Sequence, residues 1–327
     1  MRLTSIMGAV AVAVSATAVA ADELSLADFQ PPQHFIVDEV YGPFAEAVAA
    51  ASGGETTVRA FMGGELGPGP AEQYNRVVDG VADLAFGLPG YTASNFPMTL
   101  LAELPGVITA ETGTQAIVDN FEMLAGEYRR AVLGGLWNNA PNLLLMADDP
   151  ITSLDDLQGL NISVPTRNDG LVVKAWGANP VSMPAPGIYN AMQTGVIDGA
   201  MTDATTLRAF RLAEVTNHVT KGMDTTISLF FLIMNRDAFA DLSDAEQQAV
   251  LAAGRDASIN GNAAWLDIAD KALTEFGATD GKEVITLAPE EAERFNTASA
   301  AVVEEIVAAA EADGVAAQAY IDALGGG

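Results

Sequence analysis

The chain has 327 residues, half of them hydrophobic, enough for one large or two ordinary domains with a sizeable core. Its 15 basic residues stand against 43 acidic ones, a formal net charge of −28, and such a surface repels phosphate backbones and anionic headgroups, which excludes nucleic acid as a partner. The absence of cysteine excludes disulfides, thiolate metal sites and thiol nucleophiles, and two histidines, His34 and His218, are too few for a His-rich metal site.

The first residues read as a targeting segment. Arg2 gives a positive start, Ile6 to Val14 is an apolar run, and Ala18-Val19-Ala20 is a small-x-small cleavage pattern ahead of Asp22 and Glu23. This predicts a signal peptide over residues 1–20, hence export to the periplasm. No later run has the ~20 apolar residues that cross a bilayer.

Along the mature chain, short strands alternate with helices. The pattern predicts a helix over Val37–Ser52 stopped by Gly53-Gly54, a strand over Thr57–Met62, a Gly-rich turn at 63–70, a helix over Ala71–Asp79 and a strand over Asp83–Phe86. A longer helix is expected over Thr114–Val132, and strands over Asn142–Met146 and Leu160–Val164. Ser153 with Asp156, and Ser243 with Glu246, are capping boxes; the second opens an Ala-rich helix reaching about Phe276. Helical segments are expected at Leu171–Trp176 and Ile188–Gln193, a buried strand at Leu229–Met234, and two closing helices from Pro289 and Val315. Alternation of this kind indicates an α/β fold with mostly parallel sheets.

Chemistry is hard to find. No nucleophile elbow, dinucleotide fingerprint, P-loop or zinc-protease motif occurs. The Gly-rich turn lacks the Lys-Ser/Thr ending that would hold phosphate. Asp155 and Asp156 suit a helix start, where the dipole favours their charge. Asp198 and Asp203 flank Gly199 at a strand–helix junction, His218 reads as a surface or satisfied histidine, and His34 lies in a loop that can face a cleft. No set assembles a nucleophile, a base and an orienting group, so no enzyme activity, cofactor or metal is expected.

The run Gly177-Ala178-Asn179-Pro180-Val181-Ser182-Met183-Pro184, then Tyr189, then Met192-Gln193-Thr194-Gly195-Val196-Ile197-Asp198-Gly199-Ala200, resembles the signature of the DctP-type solute-binding proteins of tripartite ATP-independent periplasmic (TRAP) transporters. Phe44-Ala45-Glu46, Ser52-Gly53-Gly54, Gly63-Gly64-Glu65-Leu66-Gly67, Gly80-Val81-Ala82-Asp83-Leu84-Ala85, Phe96-Pro97, Glu103-Leu104-Pro105, Leu154-Asp155-Asp156-Leu157-Gln158-Gly159-Leu160 and Met234-Asn235 fit the same family in the same order, over nearly the whole mature chain.

The resemblance implies a two-lobed α/β periplasmic-binding-protein fold, with hinge-crossing strands and a long helix spanning both lobes. Lobe I is expected over 21–143 plus 230–268 and lobe II over 144–229 plus 269–327. It further implies a monomer that closes on a small-molecule ligand, a carboxylate by preference, docks on TRAP membrane permease subunits, and does no chemistry itself.

One departure stands out. The family arginine that clamps a ligand carboxylate falls at Ser163 here, and the strand before Asp148 offers Asn142 and Leu143. Arg167 is expected to supply the missing charge, aided by Ser163 and Thr166; the alternative is a solvated Arg167 and a neutral or cationic ligand, with Asp203 receiving an amine. Thr202 stands near the family's cleft asparagine. Phe86, Tyr91, Trp137 and Trp176 are candidates for an aromatic wall, or equally for core packing, and Gln33 and His34 for the first-lobe side. A ligand sensor for a membrane receptor is a second class of function that the residues leave open, and an exported enzyme would need converging groups that the chain does not display.

Overall fold

The computed structural model describes residues 22–325; the expected signal peptide lies outside the described residues. Among the described residues, eleven strands occur in chain order: β1 (Asp22–Ala27), β2 (Thr56–Phe61), β3 (Leu84–Gly87), β4 (Val132–Asn138), β5 (Leu143–Met146), β6 (Asn161–Val164), β7 (Asn179–Ser182), β8 (Gly199–Thr202), β9 (His218–Lys221), β10 (Leu229–Met234) and β11 (Glu283–Thr286). They form a five-stranded sheet, β2-β1-β3-β10-β4, and a six-stranded sheet, β11-β9-β5-β8-β6-β7. Both are mixed. β1 runs parallel to β2 and β3, while β10 enters antiparallel between β3 and β4.

Each sheet is the middle of one lobe. β10 shows why its sequence, LFFLIM, is apolar throughout: both faces are covered, so neither side of the period-2 alternation reaches water. Phe230, Leu232 and Met234 pack on one side with Phe44 and Trp265, and Leu229, Phe231 and Ile233 on the other with Leu101 and Tyr320.

The chain passes between lobes at residues 139–142 and 222–228, and these two passes are bonded to each other. Asn139 N–H donates to the Ser228 carbonyl (3.0 Å) and Asn142 N–H to the Thr226 carbonyl (3.1 Å), while Asn142 Nδ2 donates to Thr226 Oγ1 (3.0 Å). A polar, fully bonded hinge of this kind satisfies its buried backbone without an apolar core to lock it.

Among the helices that position the site, α1 (Gly42–Ala51) follows β1, α2 (Arg167–Ala175) follows β6, and α3 (Ala185–Gln193) follows β7. A third connection between lobes is α4 (Asp244–Gly277), opened by the Ser243–Glu246 capping box. Its first half packs in the first lobe through Val250, Ala257 and Trp265; Ala269 and Phe276 pack in the second. The helix lies directly on β4. A Cβ on Gly254 would stand 2.3 Å from the Gly134 carbonyl oxygen, so only glycine allows this approach. Two more helices, α5 (Pro289–Ala312) and α6 (Ala317–Leu324), close the fold.

The structure corrects several expectations. The helix expected over Thr114–Val132 is two short ones, Gly113–Asp119 and Phe121–Leu124, and Val132 already opens β4. The lobe boundary at 269–327 fails at its end: α5 starts on the second lobe, with Phe295 against Trp176, but from Val303 to Ala310 it packs on the first-lobe core, and Ala317, Tyr320 and Ile321 of α6 join that core. The lobe limits at 143/144 and 229/230 each cut one residue into a strand, since β5 begins at Leu143 and β10 at Leu229.

Candidate functional site

A cavity lies between the lobes, where the carboxyl ends of several strands converge, as expected of ligand sites on such sheets. The open space inside it is narrow, about 50 Å³. The first lobe contributes Phe29, Gln30 and His34 after β1, Phe86 on β3, Tyr91, Phe230 on β10 and Trp265 on α4. The second contributes Met201 and Thr202 on β8, Asp203, Thr205, Phe210, Met183 and Ile188; Asn139 and Ser228 come from the hinge.

The walls are aromatic. The Phe230 and Trp265 ring centroids stand 4.7 Å apart, Phe86 and Phe230 5.2 Å, His34 and Trp265 5.6 Å, and Phe29 and Phe86 5.9 Å. No arginine or lysine is among the described residues that line the cavity. Its polar groups are neutral, Asp203 excepted.

His34 is held in one tautomer. Ile36 N–H donates to its Nδ1 (3.2 Å), so the proton sits on Nε2, and burial lowers its pKa to about 3. Gln30 is buried, and its Nε2 has no hydrogen-bond partner. Gln30 is in turn placed by Asp28, whose Oδ1 accepts from Gln30 N–H (2.8 Å) and whose Oδ2 accepts from Tyr41 Oη (2.7 Å). Burial raises Asp28 to about 7 against those hydrogen bonds. Asp203 is also buried: its Oδ1 accepts from Thr205 N–H (2.8 Å) and its Oδ2 from Asn139 Nδ2 (2.9 Å), and desolvation holds its carboxyl above the usual range.

The lobes touch beside the cavity. Ala185 N–H donates to Tyr91 Oη (3.4 Å), and Gly90 packs so tightly on Thr166 that a Cβ there would stand 2.1 Å from Thr166 Cγ2.

Of the residues singled out from sequence, His34, Phe86, Tyr91, Thr202 and Asp203 converge on this cavity. Gln33 lies in a side chamber that shares His34 and Thr205 with it and also carries Arg208 and Lys271. The others stand elsewhere. Arg167 is exposed and does not line the cavity itself; it borders a second groove between the lobes, with Gly90, Thr166 and Lys174, that shares Tyr91, Pro165 and Met183 with the cavity. The reason is local: Thr166 and Asp169 form a capping box that makes Arg167 the first residue of α2, at an exposed helix start. Thr166 is occupied by that box, its Oγ1 donating to Asp169 Oδ2 (2.6 Å). Ser163 is fully buried and borders none of these chambers. Trp137 packs in the first-lobe core behind Phe86 and Phe230, and Trp176 in the second, its Nε1 donating to Ser299 Oγ (3.0 Å). Sequence reasoning missed Phe29, Gln30, Phe210, Phe230 and Trp265. A lone tryptophan in an Ala-rich helix, and the two residues just past β1, were the available signals.

Residues 26–310 match the family description "Bacterial extracellular solute-binding protein, family 7", the DctP family. The chain belongs to that family. DctP proteins are transport binding proteins, not enzymes. The chain is 26% identical over 247 residues to the ectoine-binding periplasmic protein TeaA of Halomonas elongata, a match spanning 69% of this chain and 70% of TeaA. A "Solute-binding protein" of Albidiferax ferrireducens is 25% identical over 66% of this chain and 65% of its own length, so the matched stretch spans about two thirds of these curated relatives. Among solved structures, a TRAP periplasmic solute-binding protein from Bordetella bronchiseptica with bound (R)- and (S)-mandelate superposes with a TM-score of 0.84 at 27% identity, over 92% of this chain and 97% of that one. A marine-metagenome TRAP solute-binding protein specific for aromatic acid ligands reaches a TM-score of 0.87 at 24% identity, over 93% and 97%. The two-lobed DctP fold expected from the sequence is thereby established, and no helix among the described residues is long and apolar enough to cross a membrane.

Proposed function

We propose that this chain is exported through its first 20 residues to the periplasm, captures a small organic acid with an aromatic or apolar body, and delivers it as a monomer to a TRAP-type membrane permease. The carrying observation is the interlobe cavity: rings on the walls, and two neutral donors, Gln30 Nε2 and His34 Nε2–H, on the first-lobe side. Neutral donors can hold a carboxylate by hydrogen bonds to its charged form, while the rings bury the rest of the molecule. The mandelate-bound relative supports the same ligand class.

A thermal-shift screen of the mature chain against organic acids, amino acids, sugars and amines tests this. A ligand at about 100 times its Kd adds ~2.7 kcal/mol of stability. The hits are expected to be carboxylates with one apolar or aromatic body. Hits confined to sugars, or to amines without a carboxylate, would overturn the reading.

A further inference from the structure

We propose that the solute is a zwitterion: an organic acid that also carries a cationic nitrogen, seated among the aromatic rings against Asp203 while its carboxylate meets the donors of the opposite lobe. This rests on the organic-acid reading above and adds the charge of the rest of the molecule.

Asp203 is the first observation. It is 3% exposed, lines the cavity, and receives only neutral donors, the Thr205 backbone and hydroxyl, the Asn139 carboxamide and its own backbone. A buried charge without a counter-charge is costly, and no described lining residue supplies one. A ligand cation would.

The rings are the second. Phe29, Phe86, Tyr91, Phe210, Phe230 and Trp265 surround the same space. Rings alone accept any apolar body. Rings around a carboxylate favour a cation, because each face presents negative quadrupole to it.

The third is the balance of charge. A plain monocarboxylate would bring a second anion into a cavity that already holds Asp203, and would approach a chain of net charge −28. A zwitterion is neutral at a distance and presents an acceptor to Gln30 and His34 and a cation to Asp203 at close range. Desolvation raises the Asp203 carboxyl, the direction expected where no protein cation faces it.

Titration calorimetry on the mature chain with charge-matched probe sets decides it. One set is N-methylnicotinate, 3-methylbenzoate and 1,3-dimethylpyridinium: zwitterion, acid and cation of one shape. A second is proline betaine, cyclopentanecarboxylate and N,N-dimethylpyrrolidinium, and ectoine serves as a cyclic amidinium acid. The expected result is a zwitterion binding about 100-fold more tightly than both of its matched partners. Asp203→Asn should bring that zwitterion down to the affinity of the plain acid, with the circular dichroism spectrum retained. Should the variant not fold, the ratios measured on the unaltered chain still decide. Plain acids that equal or exceed their zwitterions in every set, or the absence of any zwitterion binding, overturn the inference; the former leaves the organic-acid reading standing. Cations that bind as tightly as zwitterions overturn both.

Discussion

Replacing Asp28 with asparagine should remove a pH penalty built into the first lobe. Asp28 is 1% exposed, and burial moves its pKa from 3.8 to about 7. The unfolded chain gives up this proton near the lower value and the folded chain near the higher. Between them the native state holds the extra proton, so stability falls as pH rises through that window. The shift of about three units, at ~1.36 kcal/mol each, is worth about 4 kcal/mol once both forms are ionised. Asparagine keeps an acceptor for Gln30 N–H and offers Nδ2 to Tyr41 Oη, so the lost hydrogen-bond energy is ~1 kcal/mol. His34 works in the opposite sense. Burial moves it from 6.5 to about 3, and its contribution to stability is lost as pH falls through that range. In the unaltered protein the two slopes oppose each other over much of the acid range. Asp28→Asn should therefore gain on the unaltered protein progressively from about pH 4 to about pH 7 and level off above it, about 3 kcal/mol ahead. Urea unfolding followed by near-ultraviolet circular dichroism, repeated across that range, reads the difference directly. Two stability profiles that run parallel throughout would refute the reasoning, because they would mean that Asp28 ionises in the fold as readily as in water.

Two further outcomes follow from the contacts around the cavity. Gly90→Ala should disfavour the closed arrangement by ~1–3 kcal/mol, because Thr166 is pinned by Asp169 and cannot yield; the solute Kd should rise about 10-fold or more while the ligand-free melting point holds, and an unchanged Kd would place lobe contact elsewhere. Arg167→Ala should leave solute affinity within ~0.5 kcal/mol, since the side chain is exposed on the second groove; loss of binding in calorimetry would return the carboxylate grip to this residue.

What the residues disclosed in advance follows from how local each signal was. The run Leu229–Met234 and the capping boxes at Ser153 and Ser243 carry their structure in a few adjacent positions, and each stands where pattern put it. β7 and β11 are four residues long with mostly exposed side chains, so they lack the apolar alternation that marks a strand. β4 contains Gly134-Gly135, which weakens any strand signal; their purpose, the close passage of α4, is visible only in three dimensions. The site divides in the same way. Asp203 and Thr202, which follow the Gly199 motif, line the cavity. Trp137 and Trp265 are equally plausible as walls from sequence, and only packing sends one to the core and the other to the cavity. Arg167 stands at an exposed helix start because Thr166-Arg167-Asn168-Asp169 is a capping box, which moves α2 four residues earlier than its apolar pattern implies.

The seating of α4 on β4 has a mechanical consequence. With Gly254 pressed on Gly134 at one end and Phe276 packed in the second lobe at the other, the helix is a rod clamped at both ends. The lobes are therefore joined by more than the two hinge passes; a change in their angle has to be taken up along this helix, between Trp265 and Ala269, and along α5, which also packs on both cores. A cargo resting on Trp265 touches the helix where that change is taken up.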